Sequence, residues 1–80
     1  AFTADESLTV YPNPTTGNVR IDCDNLIKTV ELYDVQGRLL QTSLEHSKTT
    51  AIDLSTKASG IYFMKITSQK GTTIQKLIKQ

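Results

Sequence analysis

The sequence of 80 residues has no tryptophan, one cysteine, one histidine, two prolines and four glycines. Each scarcity excludes something. Cys23 stands alone, so no disulfide can form within the chain. Without a cysteine pair and a tryptophan, an antibody-type domain is ruled out. The alternation of Cys23 with Val19 and Ile21 reads as a small inward-facing hydrophobe. His46, in "LEHSKTT", cannot complete a zinc site with one distant cysteine and is read as an exposed loop residue. The glycines are isolated, so no phosphate-cradling loop exists. Asp22 and Asp24 in "DCDN" share a strand face but lack the glycine and distal glutamate of a calcium loop, and are read as solvated charges. No exposed tryptophan offers a platform for sugars, and Tyr11, Tyr33 and Tyr62 are read as half-buried. No nucleophile elbow or comparable frame is present, so no catalysis, metal or cofactor is expected.

Charge and hydropathy are equally plain. The net charge is +1, which gives no reason to expect a nucleic-acid partner. No apolar run is long enough for a transmembrane helix. The chain shows no basic-then-apolar leader and starts at Ala1 rather than Met, so it is expected to be a piece of something longer. The charge is unevenly placed. Asp5, Glu6, Asp22, Asp24, Glu31 and Asp34 crowd residues 1–34, whereas residues 65–80 hold Lys65, Lys70, Lys76 and Lys79 without an acid.

What is abundant is period-two alternation. "NVRIDC" sets Val19, Ile21 and Cys23 against Arg20 and Asp22, and "KTVELYD" sets Val30 and Leu32 against Glu31. "TAIDLS" offers Ile52 and Leu54, and "GIYFMKITS" places Tyr62, Met64 and Ile66 opposite Ile61, Phe63 and Lys65. Such alternation marks half-buried strands. All four glycines fall between these runs, in "TTGN", "DVQGR", "KASG" and "SQKGT", where turns are needed. Strands are predicted near 8–12, 19–23, 27–34, 38–44, 49–54, 60–68 and 72–79. Seven short strands predict an all-β, immunoglobulin-like antiparallel sandwich. The last segment, "TTIQKLIKQ", fits helical spacing as well, and its threonines and isoleucines decide for strand.

Both prolines lie in "VYPNPTTGNV". Residues two apart in a strand point their N–H groups to one side, and proline has none. Pro12 and Pro14 therefore remove two donors from one edge, while Asn13 is pushed away from helical geometry. The segment is expected to be extended, and to be an edge strand or a strand's exit.

The order of four blocks carries a resemblance. "VYPNPTTGNVRI", "VELYDVQGRLL", "IDLSTKASGIYFMKI" and the lysine-rich "KLIKQ" together resemble the type A C-terminal sorting domain of the type IX secretion system of Gram-negative Bacteroidota. The resemblance implies that residues 8–80 are the sorting domain and 1–7 a linker remnant. It implies a secretion signal that directs a parent protein, often a protease or adhesin, through the outer-membrane translocon. The implied partners are the translocon, outer-membrane shuttle proteins and a surface sortase that removes the domain and joins the parent to the cell surface. The implied location is the periplasm in transit, then the outer-membrane surface or the extracellular space. By position, the family motif falls on Pro12, Asn13, Pro14, Gly37, Gly60 and Tyr62, and translocon recognition on Lys76, Leu77, Ile78, Lys79 and Gln80. The rival reading is an autonomous immunoglobulin-like binding or adhesion module. Ile61 and Phe63, with unpaired sheet edges, also suggest a homodimer. Removal of Lys79 and Gln80, neither expected in the core, is predicted to leave melting almost unchanged.

Overall fold

A computed structural model describes residues 8–80; the linker expected at 1–7 lies outside them. The described residues form strands and turns with no helix. The strands are β1 (Leu8–Tyr11), β2 (Asn18–Asp34), β3 (Leu39–Asp53), β4 (Gly60–Ser68) and β5 (Gly71–Lys79). All the strand pairs are antiparallel, and the all-β class holds.

Five strands replace the seven expected, because two breaks were anticipated where the backbone bends without stopping. β2 spans the expected pair 19–23 and 27–34, and β3 spans 38–44 and 49–54. Neither Asp24–Leu26 nor Glu45–Lys48 contains a glycine or proline, so nothing forces the chain out of extended geometry. The register instead shifts between Asp22 and Ile27 and again between Ile27 and Thr29. Such bulges bend a strand and increase its twist. The first half of β2 pairs with β1, its second half pairs with β4, and β3 runs beside both. The result is one sheet curled over its own inner face.

That inner face is the core. Val19, Ile21 and Cys23 from the first half of β2 join Ile27, Val30 and Leu32 from its second half. Ile52, Leu54, Tyr62, Met64, Ile66 and Leu77 complete the cluster. The inward residues are odd-numbered up to Ile27 and even-numbered from Val30, which is the parity change a bulge produces. Each fully buried aliphatic side chain contributes roughly 1.5–3 kcal/mol. β5 settles the ambiguous last segment: Leu77 is fully buried while Ile74 and Ile78 are exposed. That pattern is alternation along a strand.

Turn chemistry follows from residue type where it can be tested. In "DVQGR", Asp34 Oδ1 accepts from the amides of Gln36 and Arg38, both at 2.9 Å. The Gly37 amide donates to the Asp34 carbonyl at 3.0 Å, and Gly37 takes φ = 87°. An aspartate opening the turn and a left-handed glycine closing it make a three-residue hairpin loop with a bulge. Across β1, β2 and β3, Asp22 gathers Tyr11 Oη at 2.7 Å, Thr49 Oγ1 at 2.6 Å and Arg20 Nε at 3.3 Å. This network ties the short edge strand β1 to its neighbours, so Asp22 is more than a solvated charge.

Candidate recognition surface

β1 is an edge strand and stops at Tyr11, immediately before Pro12. The missing amides of Pro12 and Pro14 account for the stop. Residues 12–14 then form bends, and the Tyr11–Pro12 and Asn13–Pro14 bonds are both cis. The bends replace the extended conformation expected for this segment. Its destination is the outer edge of β5.

Asn13 and Thr15 bind that edge as a short strand would. Asn13 Nδ2 donates to the Lys76 carbonyl at 2.8 Å, and Asn13 Oδ1 accepts from the Ile78 amide at 3.0 Å. One side-chain amide thus copies both polar groups of a peptide unit. The Thr15 amide donates to the Ile78 carbonyl at 2.9 Å, and the Thr15 carbonyl accepts from the Gln80 amide at 2.8 Å. Thr15 also forms a parallel bridge with Lys79. Thr15 is 1% exposed. Thr15 Oγ1 donates to the Asn18 carbonyl at 2.9 Å and accepts from the Gly17 amide at 3.1 Å. That last contact is a hydroxyl turn spanning two residues, which fixes the path into β2.

Most of the residues singled out from sequence therefore meet at one end of the sheet. Gly60 opens β4 opposite Lys79, and Tyr62 lies opposite Leu77. Tyr62 is 8% exposed and its hydroxyl donates to the Ala58 carbonyl at 2.6 Å. Pro12, Asn13 and Pro14 are exposed beside the tail. Within the tail, Lys76, Ile78 and Gln80 are exposed, Lys79 is half-buried and Leu77 is buried. Leu77 therefore anchors the strand rather than meeting solvent. Gly37 lies apart, in the β2–β3 turn. There it joins Tyr33, Val35, Phe63, Lys65 and Ile74 around an open groove of about 480 Å³.

The structure also revises the expected effect of losing two residues. Gln80 donates a backbone bond to Thr15, and Lys79 pairs with Gly60. At about 0.5–1.5 kcal/mol for each net hydrogen bond, their deletion has a measurable cost. Sequence reasoning missed Thr15 altogether. The only local sign was a threonine two residues before a glycine, which reads as a turn and not as a pin on the far end of the chain.

The tail carries Lys76 and Lys79 and no acidic residue. Among the described residues, the ion pairs are Arg20–Asp22 at 3.3 Å and Arg38–Asp34 at 2.7 Å. None of Lys65, Lys70, Lys76 and Lys79 takes part. No cluster of three metal-ligating side chains occurs among the described residues. No helix there is long and apolar enough to cross a membrane.

The described residues thus form a small curled sheet whose first turn, at Asn13 and Thr15, is bonded to its last strand. Comparison with known families agrees on residues 9–80, which match the model of the secretion system C-terminal sorting domain. The chain belongs to that family of type IX sorting domains. A search of curated proteins gave no match. Membership makes the chain a type IX C-terminal sorting signal that engages the secretion machinery. It implies export toward the cell surface or extracellular space, and the family is not one of enzymes.

Proposed function

We propose that the chain is the removable address of a larger secreted protein, read at Lys76–Gln80 by the type IX translocon and its outer-membrane shuttle proteins. The parent crosses the periplasm with this domain folded. A surface sortase then removes the domain and attaches the parent to the outer-membrane surface. The observation that carries the reading is the tail itself. It is a basic edge strand, free of acidic residues, whose side chains Lys76, Ile78 and Gln80 face solvent.

The closed edge refines how the tail is read. Strand addition supplies affinity through main-chain bonds. Here Asn13 and Thr15 already hold the outward backbone groups of Lys76, Ile78 and Gln80. Exposed side chains therefore do the reading in the folded state, and the lysines favour an acidic receptor surface. An immunoglobulin-like classification of the curled sheet belongs to the same reading. The test is fusion of residues 1–80 to a folded reporter in a type IX-competent host. Surface display is expected, and loss of Lys79 and Gln80 should leave the reporter in the periplasm. A full-length fusion that never reaches the surface would overturn the reading. Ligand binding by the isolated domain, without export, would favour the rival adhesion module.

A further inference from the structure

We propose that the sorting address is a composite surface, built jointly by the Pro12–Pro14 turn and the tail, with Asn13 as the positioning residue that sets the tail's register. This rests on the reading of Lys76–Gln80 as the address. The two segments are more than sixty residues apart in sequence, yet the Asn13 side chain alone bonds both Lys76 and Ile78. An alanine there would leave the Ile78 amide and the Lys76 carbonyl without their protein partners. A local turn-former would not need to reach across the molecule. Pro12, Asn13 and Pro14 are all exposed beside the exposed Lys76, Ile78 and Gln80, so a partner meeting one segment meets the other.

The chemistry of that partner follows from the charges and the apolar seat. Lys76 is in no ion pair among the described residues and shares the exposed face of β5 with Ile78, whereas half-buried Lys79 alternates to the other face and donates from Nζ to the Gln80 oxygen at 3.0 Å. Ile78 lies opposite Ile61, at 39% and 40% exposure respectively. Lys76 beside a paired-isoleucine seat fits a surface of the secretion machinery that presents a carboxylate next to an apolar contact. Clasping the tail before contact removes the ordering cost that a loose tail would incur on binding.

The experiment has two parts. Amide hydrogen exchange on the 80-residue chain compares Asn13→Ala with the unmodified sequence. Exchange at Ile78 and Gln80 should accelerate about tenfold or more relative to the core amides of Leu32 and Met64. Unchanged protection at both would overturn the positioning role. Reporter fusions then compare Asn13→Ala, Lys76→Glu and Ile66→Val, the last chosen as a core change and matched for loss of melting temperature. Export should fall about tenfold or more in the first two, a loss of recognition worth about 1.4 kcal/mol, and persist in the third. Normal export of Asn13→Ala would overturn the composite surface, and normal export of Lys76→Glu would overturn the acidic partner. Deletion of Lys79 and Gln80 is the separate arm: if it exports normally, the address reading itself fails, whatever Asn13→Ala does.

Discussion

Tyr62→Ala tests the register of the whole curled sheet, because Tyr62 sits where three strands meet. It lies opposite Asp34 of β2 and Leu77 of β5, and the residue is 8% exposed. Removing a buried aromatic ring costs about 3–5 kcal/mol through lost burial and the cavity left behind. A domain of this length has roughly 4–12 kcal/mol in total, at about 0.05–0.15 kcal/mol per residue. The substitution therefore consumes a large fraction of the stability. With a urea slope of about 1 kcal/mol/M for so small a domain, the midpoint should fall by about 3 M or the chain should unfold outright. Tyr62→Phe separates ring from hydroxyl. It removes only the bond to the Ala58 carbonyl at 2.6 Å. Ala58 is exposed, so water replaces the lost donor. The expected cost is about 0.5–1.5 kcal/mol. A midpoint shift for Tyr62→Ala below about 1 M would refute the burial argument. Equal shifts for the alanine and phenylalanine variants would refute the division between ring and hydroxyl.

Gly37→Ala should cost about 1–2 kcal/mol through the left-handed backbone alone, since φ is 87° and an added Cβ would meet no atom within 4 Å. Thermal melts check it, and a neutral result would mean the turn relaxes. Acid should weaken the domain as pH falls through the carboxylate range. Thr49 and Tyr11 hydroxyls hold Asp22 below its ordinary 3.8, the Arg38 amide holds Asp34 below it, and Ser55 holds Asp53 below it. Groups depressed on folding stabilise above their unfolded value and lose that contribution as pH drops through the folded one. Urea midpoints should be flat above about pH 5 and fall progressively below about pH 4, and a midpoint that rose on acidification would contradict the sign. The exposed Ile61, Ile74 and Ile78 with half-buried Phe63 predict homodimers at high concentration. Sedimentation should show Ile74→Glu shifting the chain to monomer, and a strict monomer at every concentration would exclude this.

Alternation was readable because it is local. The inward set of Val19, Ile21, Cys23, Val30, Leu32, Ile52, Leu54, Tyr62, Met64 and Ile66 is visible in period two and is buried in the structure, whereas the buried Ile27 and Leu77 stand outside that pattern. The "DVQGR" turn was readable for the same reason, with its aspartate and glycine three residues apart. The continuity of β2 through Asp24–Leu26 was not. A bulge changes parity without requiring any particular residue, so a gap in the alternation looks like a loop. The clasp was hidden for another reason. A proline–asparagine–proline sequence speaks for a strand's end, and nothing adjacent to Asn13 names Lys76 or Ile78 as its partners. Side-chain bonds over such sequence distance leave no periodic trace.

The clasp changes what kind of recognition the tail supports. An edge strand ordinarily offers unpaired amides and carbonyls to any extended segment. Along Lys76–Gln80 four such groups are already engaged, two by Asn13 and two by Thr15. A receptor adding a strand there would first break these bonds, at a combined cost of roughly 2–6 kcal/mol. A receptor reading Lys76, Ile78 and the turn beside them meets no such cost. The closed edge also restrains pairing between copies along this part of the strand, since edge-to-edge association needs the same groups. Ile74 lies before the clasp begins, on the opening half of β5 beside the groove. On the proposed reading, that division would leave the tail for side-chain recognition, and a homodimer would meet through the groove face.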